Sequence, residues 1–220
     1  MSARRMLVPV AAVAAAVAAA LPAGASPNGG GPAATVAQAP EVGKTVVVER
    51  DDGTVKVRRR GSRRWQRLTG SLNIPVDSEV DATRGSVTVF AAGGDGVFHT
   101  GTFSGGRFQI HQVRVGSLLL AELRLLGGRT SCTQSDIRRK RARRRLNASA
   151  SGVFQLRGFY ATALNRNEST YSVTDRCDGT LARVGRRPTT ARVEVRNTAT
   201  NRTVRLSAGK QYLAKPRRAR

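Results

Sequence analysis

"KTVVVERDDGTVKVRR", residues 44–59, sets β-branched runs on both sides of Asp52-Gly53 and puts Val55 and Val57 on one face of the second run. Period-two alternation marks a half-buried strand, and an Asp-Gly pair between two such runs is a strong local hairpin signal. The stretch predicts two strands joined at Asp52-Gly53. The same rhythm continues downstream, where Val87 and Val89, then Phe108 and Ile110, alternate with polar neighbours between Gly-rich turns. "SLLLAELRLLGG", residues 117–128, has high helix propensity, yet Leu119, Ala121, Leu123 and Leu125 alternate with Glu122 and Arg124, so it reads as a strand. Phe154 and Leu156, Tyr171 and Val173, Val193 and Val195, and Val204 and Leu206 follow the same rule. The expectation is an all-β domain of about 10–12 short strands, a β-sandwich or a β-solenoid-like fold.

The N-terminus reads differently. Arg4 and Arg5 precede a small-apolar stretch from Met6 to Leu21, and Ala23-Gly24-Ala25 supplies small residues for a peptidase. Residues 1–25 are expected to be a secretory signal, by the general or the twin-arginine route, with no stable membrane span once it is cleaved. A signal anchor is the rival reading, disfavoured by the weakly hydrophobic, Ala-rich composition. Residues 26–43 are rich in Gly, Pro and Ala without a period and read as a flexible linker. The β domain is placed at 44–214 and a basic tail at 215–220.

The chain carries 38 Lys and Arg against 14 Asp and Glu, a net charge of +24. Such a chain repels itself unless it meets anions. Arginine and alanine are abundant and lysine is scarce, as expected of GC-rich coding in a bacterium such as an actinomycete, so part of this charge is compositional.

Cys132 and Cys177 are the only cysteines. In an exported chain a disulfide is the default reading, and zinc lacks the ligand spacing it needs. Between them lies "RRKRARRR", with seven basic residues in eight: Arg138, Arg139, Lys140, Arg141, Arg143, Arg144 and Arg145. Ser135 is a candidate cap for a short helix running to Leu146, with Asn147 as its stop; a disordered loop is the alternative. Either way, the run is an excursion on the scaffold that the disulfide would staple.

The stretch "GTVKVRRRGSRRWQRLTGSLNIPVDSEVDATRGSVTVFAA", with the step Val80-Asp81-Ala82-Thr83, resembles FecR-like domains. The ending "ARVEVRNTATNRTVRLSAGKQYLA" is similar to that family's closing pattern. "GTFSGGRFQIHQ", "RRRLNASASGVFQLRGFYA" and "DRCDGTLARV" are similar to a secreted actinobacterial variety with a cysteine pair. The resemblance spans roughly residues 53–214 and departs from the family at "ALNRNESTYSV". It implies an extracytoplasmic β domain of sandwich or solenoid character and no catalytic residues. Signalling members relay a signal through a cytoplasmic segment; with five residues ahead of the apolar stretch, none is expected here.

No catalytic constellation stands out. His99 and His111 are the only histidines; strand parity places His111 on a solvated face and allows His99 to be buried. Asp77, Glu79 and Asp81 alternate along one strand face and read as an edge that pairs with nearby arginines, since calcium loops gather more oxygen ligands around a Gly turn. Asp178-Gly179 reads as a turn beside the disulfide. No cofactor or metal is expected.

The function expected is a secreted, non-enzymatic binding or scaffolding module at a bacterial cell surface. Its anion-binding residues would be those of the basic run, and its partner an anionic envelope polymer. The alternatives are a sensor or accessory domain for a cell-surface protein and a cell-wall hydrolase. Nucleic acid is expected only as a non-specific ligand, because sequence readout needs aromatics or a groove-entering element and Trp65 is the only tryptophan.

Overall fold

The computed structural model describes residues 39–128 and 131–216, so the expected signal, most of the linker and the last four residues of the tail lie outside them. Fifteen strands follow in order: β1 Thr45–Arg58, β2 Gln66–Leu68, β3 Ser71–Pro75, β4 Glu79–Ala92, β5 Phe98–Ser104, β6 Arg107–Val115 and β7 Leu118–Leu126. A short helix, α1 Gln134–Arg138, leads into β8 Ala142–Ser151, β9 Phe154–Arg157, β10 Ala161–Asn165 and β11 Ser169–Arg176. Then come β12 Gly179–Val184, β13 Arg192–Asn197, β14 Thr203–Ser207 and β15 Gln211–Ala214. The fold is all-β, as the alternation requires.

Twelve strands form one hydrogen-bonded path, β14-β13-β10-β9-β7-β6-β4-β5-β8-β11-β12-β15. All its pairings are antiparallel except that of β7 with β9. β4 belongs to both halves of the path, because Glu79–Asp81 pair with β6 while Ser86–Ala92 pair with β5. At the other end, only three residues link β14 to β15, yet β14 pairs with β13 and β15 with β12. That short link draws the two ends of the path together, and the sheet becomes a nearly closed, barrel-like structure.

The expected hairpin at Asp52-Gly53 does not form. β1 runs straight through it, paired with β4 from Val46 to Arg58 and interrupted only by register shifts at Arg50/Asp52 and Thr54/Lys56. Gly53 takes φ +65°, and a side chain there would meet Arg84 O at 2.4 Å; one on Gly85 would meet Asp52 O at 2.4 Å. Two glycines thus let the backbones of β1 and β4 touch where both strands bend. The local turn signal served a bulge, because fourteen residues of β4 offered more ladder bonds than a hairpin could.

Inside the barrel, Phe103 packs against Phe108 and Phe154 with ring centroids 5.9 and 5.2 Å apart, and all three are fully buried. The residues read as inward-facing in the sequence, Val87, Val89, Ile110, Leu119, Leu123, Leu125, Leu156, Val173 and Val195 among them, are in this core.

Candidate anion-binding surface

The basic run divides into two structures. Its first residue, Arg138, closes α1, whose cap is Thr133, two positions ahead of the expected Ser135, and Arg139 and Lys140 form the turn that follows. The Thr133 hydroxyl accepts from Asp136 N at 3.2 Å, and Asp136 Oδ2 accepts from Thr133 N at 3.1 Å, a capping box. Hydrogen bonds from the Thr133 side chain and backbone, with Arg141 nearby, hold the Asp136 carboxyl below the usual range. The helix does not reach Leu146. It stops at Arg138, Lys140 turns with φ 51°, and Arg141 O accepts from Cys177 N at 3.1 Å.

From Ala142 the chain is strand β8, paired with β5 and β11. Leu146, Ala148 and Ala150 face the core with period two, and this burial decides against a continued helix. Cys132 and Cys177 form a disulfide, Cα–Cα 5.7 Å, that fastens the approach to α1 onto the β11–β12 turn. Cys177 and Asp178 make that turn, as expected from Asp178-Gly179.

In β8, Arg143 and Arg144 are tied into the fold. Arg144 Nε donates at 2.5 Å to Oδ2 of Asp175, which is fully buried and also accepts from Phe159 N at 2.9 Å and from the Thr180 hydroxyl. Gly158 makes room for that carboxylate, since a side chain there would lie 2.5 Å from it. The guanidinium carbons of Arg143 and Arg144 sit 4.7 and 3.7 Å from the centroid of the Phe159 ring. Phe159 was not legible as part of this surface; its only signal is a Gly-Phe-Tyr turn, and its contact with β8 is long-range.

Four residues of the run are left over. Arg138, Arg139, Lys140 and Arg145 are exposed, and no carboxylate of the described residues lies within ion-pair distance of them. The acids nearby are engaged: Asp136 with its cap and with Arg141 at 3.4 Å, Asp175 with Arg144, and Asp178 with Arg176 Nε at 2.7 Å. Of the seven residues expected to bind anions, these four retain free charge. Arg143 and Arg144 are half-buried around Phe159, and Arg141 shares Asp136.

A second arginine cluster, across β1, β4 and β6, is partly paired with acids. Glu79 pairs with Arg58 and, at 3.3 Å, with Arg107, while Asp77 lies 3.8 Å from Arg60. Asp77 and Glu79 thus pair with arginines as the sequence suggested. Asp81 instead accepts from Thr83 N at 3.0 Å. Arg58 and Arg107 lie over the Trp65 ring, 5.2 and 5.0 Å from its centroid. His111 is not solvated as strand parity implied: its side chain is 13% exposed, paired with Asp77 and bonded to Gln109 at 3.1 Å. The β3–β4 turn that carries Asp77 covers it. Its pKa is lowered below 6.5 by burial and by Arg124, against the pull of Asp77 and Glu122. His99 is buried, with Nε2 3.3 Å from Leu119 O.

Beside the disulfide, then, four of the seven basic residues retain charge unpaired by carboxylates of the described residues, as do other exposed arginines such as Arg63, Arg64, Arg114 and Arg186. No family model, no curated protein and no solved structure matches the chain, so the likeness to FecR-like domains stands on the residues quoted above.

Proposed function

We propose that this chain is a secreted, non-enzymatic FecR-like β domain that binds anionic polymers of a bacterial cell surface. The observation that carries the reading is the set of four exposed cations, Arg138, Arg139, Lys140 and Arg145, without carboxylate partners among the described residues, on a scaffold whose neighbouring acids are engaged. Guanidinium forks match phosphate oxygens, and several such contacts on one surface give salt-dependent attachment without sequence readout. The disulfide is compatible with an extracellular location, and no helix among the described residues is long and apolar enough to cross a membrane.

The test is retention of the chain from Ser26 onward on purified anionic envelope polymers and on DNA across a salt series. A variant with Arg138, Arg139, Lys140 and Arg145 changed to Gln runs beside it. Selective loss of envelope-polymer retention in the variant, and loss with salt in the parent, is the expected result. Retention that ignores both salt and the four substitutions overturns the reading.

A second reading, an accessory domain for a cell-surface protein, draws on a separate apolar spot. Val97 and Phe98 are 56% and 52% exposed, and Phe98 shares a shallow depression with Pro40, Val47 and Phe90. Capture of one defined partner that survives the Gln variant and fails with Phe98→Ser selects this reading instead.

A further inference from the structure

The outer face of the barrel carries a feature that the basic run does not use. Directly paired residues on neighbouring strands point to the same side of a sheet and stand about 5 Å apart. One such row is Arg124, Arg157, Thr162, Arg196 and Thr203, crossing β7, β9, β10, β13 and β14. The next row is Glu122, Gln155, Leu164, Glu194 and Arg205. Their strand neighbours Leu156, Ala163 and Val195 face the core, so both rows face outward.

Over these rows lies a groove of about 720 Å³. Leu118, Leu120 and Leu164 give it an apolar floor, and Leu120 is 1% exposed. It runs along β10. Arg157 and Arg196 flank Thr162 at one end, and Arg166, just past the end of β10, stands at the other.

The three arginines keep donors to spare. Arg157 lies 3.6 Å from Glu122 and Arg166 lies 3.7 Å from Glu194, too long for hydrogen bonds. Arg196 donates to Asn201 Oδ1 at 3.2 Å. Glu122 is already held by Arg124 at 2.6 Å and by Gln155, and Glu194 by Arg205 at 3.2 Å. Between the two cationic ends sit the Leu164 surface and the Glu194 carboxylate, with the Thr162 hydroxyl at the Arg157 and Arg196 end.

That order of groups describes a ligand. Negative groups are wanted at both ends. The middle wants a body whose CH surface covers leucine and whose hydroxyls donate to Glu194. An uninterrupted run of negative charge would meet that carboxylate and be repelled. No aromatic lines the groove to stack a base. We infer that this groove binds a short segment of a polyol- or sugar-phosphate chain, with two phosphates at Arg166 and at Arg157 with Arg196 and a hydroxylated segment over Leu164. The inference rests on the envelope-polymer reading and gives it a second, unit-sized contact. The basic run then gathers the polymer at long range, and the groove holds one stretch of it.

The test is calorimetric titration of the chain from Ser26 onward with a short synthetic glycerol-phosphate oligomer. Controls are the neutral oligoglycerol, monomeric glycerol phosphate and a DNA oligonucleotide. Arg166→Gln and Arg196→Gln should each weaken oligomer binding roughly tenfold, the worth of one charge-assisted contact, and together abolish it. Thr203→Glu, an exposed rim position that the fold does not depend on, should weaken it as well. The Gln variant of the basic run should leave the oligomer bound, and the three controls should bind far more weakly.

Oligomer binding that ignores the groove variants and vanishes with the basic run overturns the groove while the polymer reading stands. The groove is overturned in the same way if the parent is retained on polymer but does not bind the oligomer, or if monomer or DNA binds as well as the oligomer does. Failure of the parent to be retained on any polymer takes both down.

Discussion

Arg144 and Arg139 are five residues apart in one basic run and have opposite fates. Arg144, 13% exposed at its side chain, is locked to a fully buried Asp175, whereas Arg139 lies on an exposed turn without an ion-pair partner among the described residues. The difference is a carboxylate. With 38 basic residues and 14 acidic ones, most cations cannot be paired internally, so the placement of each acid decides which arginines hold the fold and which face outside anions. A buried pair is costly to desolvate and costlier still to break, because the survivor stays charged without a partner.

The sharpest way to break the comparison is Asp175→Ala. It strips acceptors from the Arg144 guanidinium, the Phe159 N–H and the Thr180 hydroxyl together. The expected loss is about 3–5 kcal/mol, read from denaturant unfolding. A change below about 1 kcal/mol would show that Arg144 is as independent of its acid as Arg139 is. Next in size is the staple between the two halves. Changing Cys132 and Cys177 both to Ser releases a 45-residue separation and is expected to cost about 2–4 kcal/mol by the same readout.

The strands were legible because burial in a sheet leaves a local mark. Leu119, Ala121, Leu123 and Leu125 declared β7 against their own helix propensity, and all four are buried. What stayed illegible was pairing. Asp52-Gly53 carries a sound turn signal, but the strand that overrides it, β4, lies some thirty residues downstream. The helix expected through Leu146 was cut short for a similar reason: β5 and β11 claim β8, and no spacing within the basic run announces them. The candidate surface was half legible, since charge density marks all seven basic residues alike. Only the positions of Asp136, Asp175 and Phe159 separate the spent ones from the free ones.

Changing Arg138, Arg139, Lys140 and Arg145 to Gln should hardly disturb the fold, with at most about 0.5 kcal/mol at each site. Its sign should even be favourable at low salt, because four like charges are removed from a chain of net charge +24. Thermal melts at low and high salt check this: a small rise in midpoint at low salt that fades as salt increases. A large drop would place these residues with Arg144 as parts of the fold.

The smallest effect belongs to the cluster across β1, β4 and β6, where Asp77 and Glu79 meet arginines in place. His111 faces Asp77 from the β3–β4 turn, Gln109 on its own strand, and Glu122 and Arg124 from β7. Burial lowers its pKa below 6.5, and Arg124 adds to this more than Asp77 and Glu122 take away. Between the lowered value and 6.5 the unfolded chain therefore binds more protons than the folded one. The contribution to stability is complete above 6.5 and is lost as pH falls through that window, with a slope of at most about 1.4 kcal/mol per pH unit. Unfolding midpoints taken from about pH 7.5 to about pH 5.5 should decline in the parent and decline less in His111→Gln. A parent that gains stability on acidification would reverse the order of causes. The Asp77 ion pair would then outweigh burial, and this cluster would want more positive charge, as the surface around Arg139 wants less.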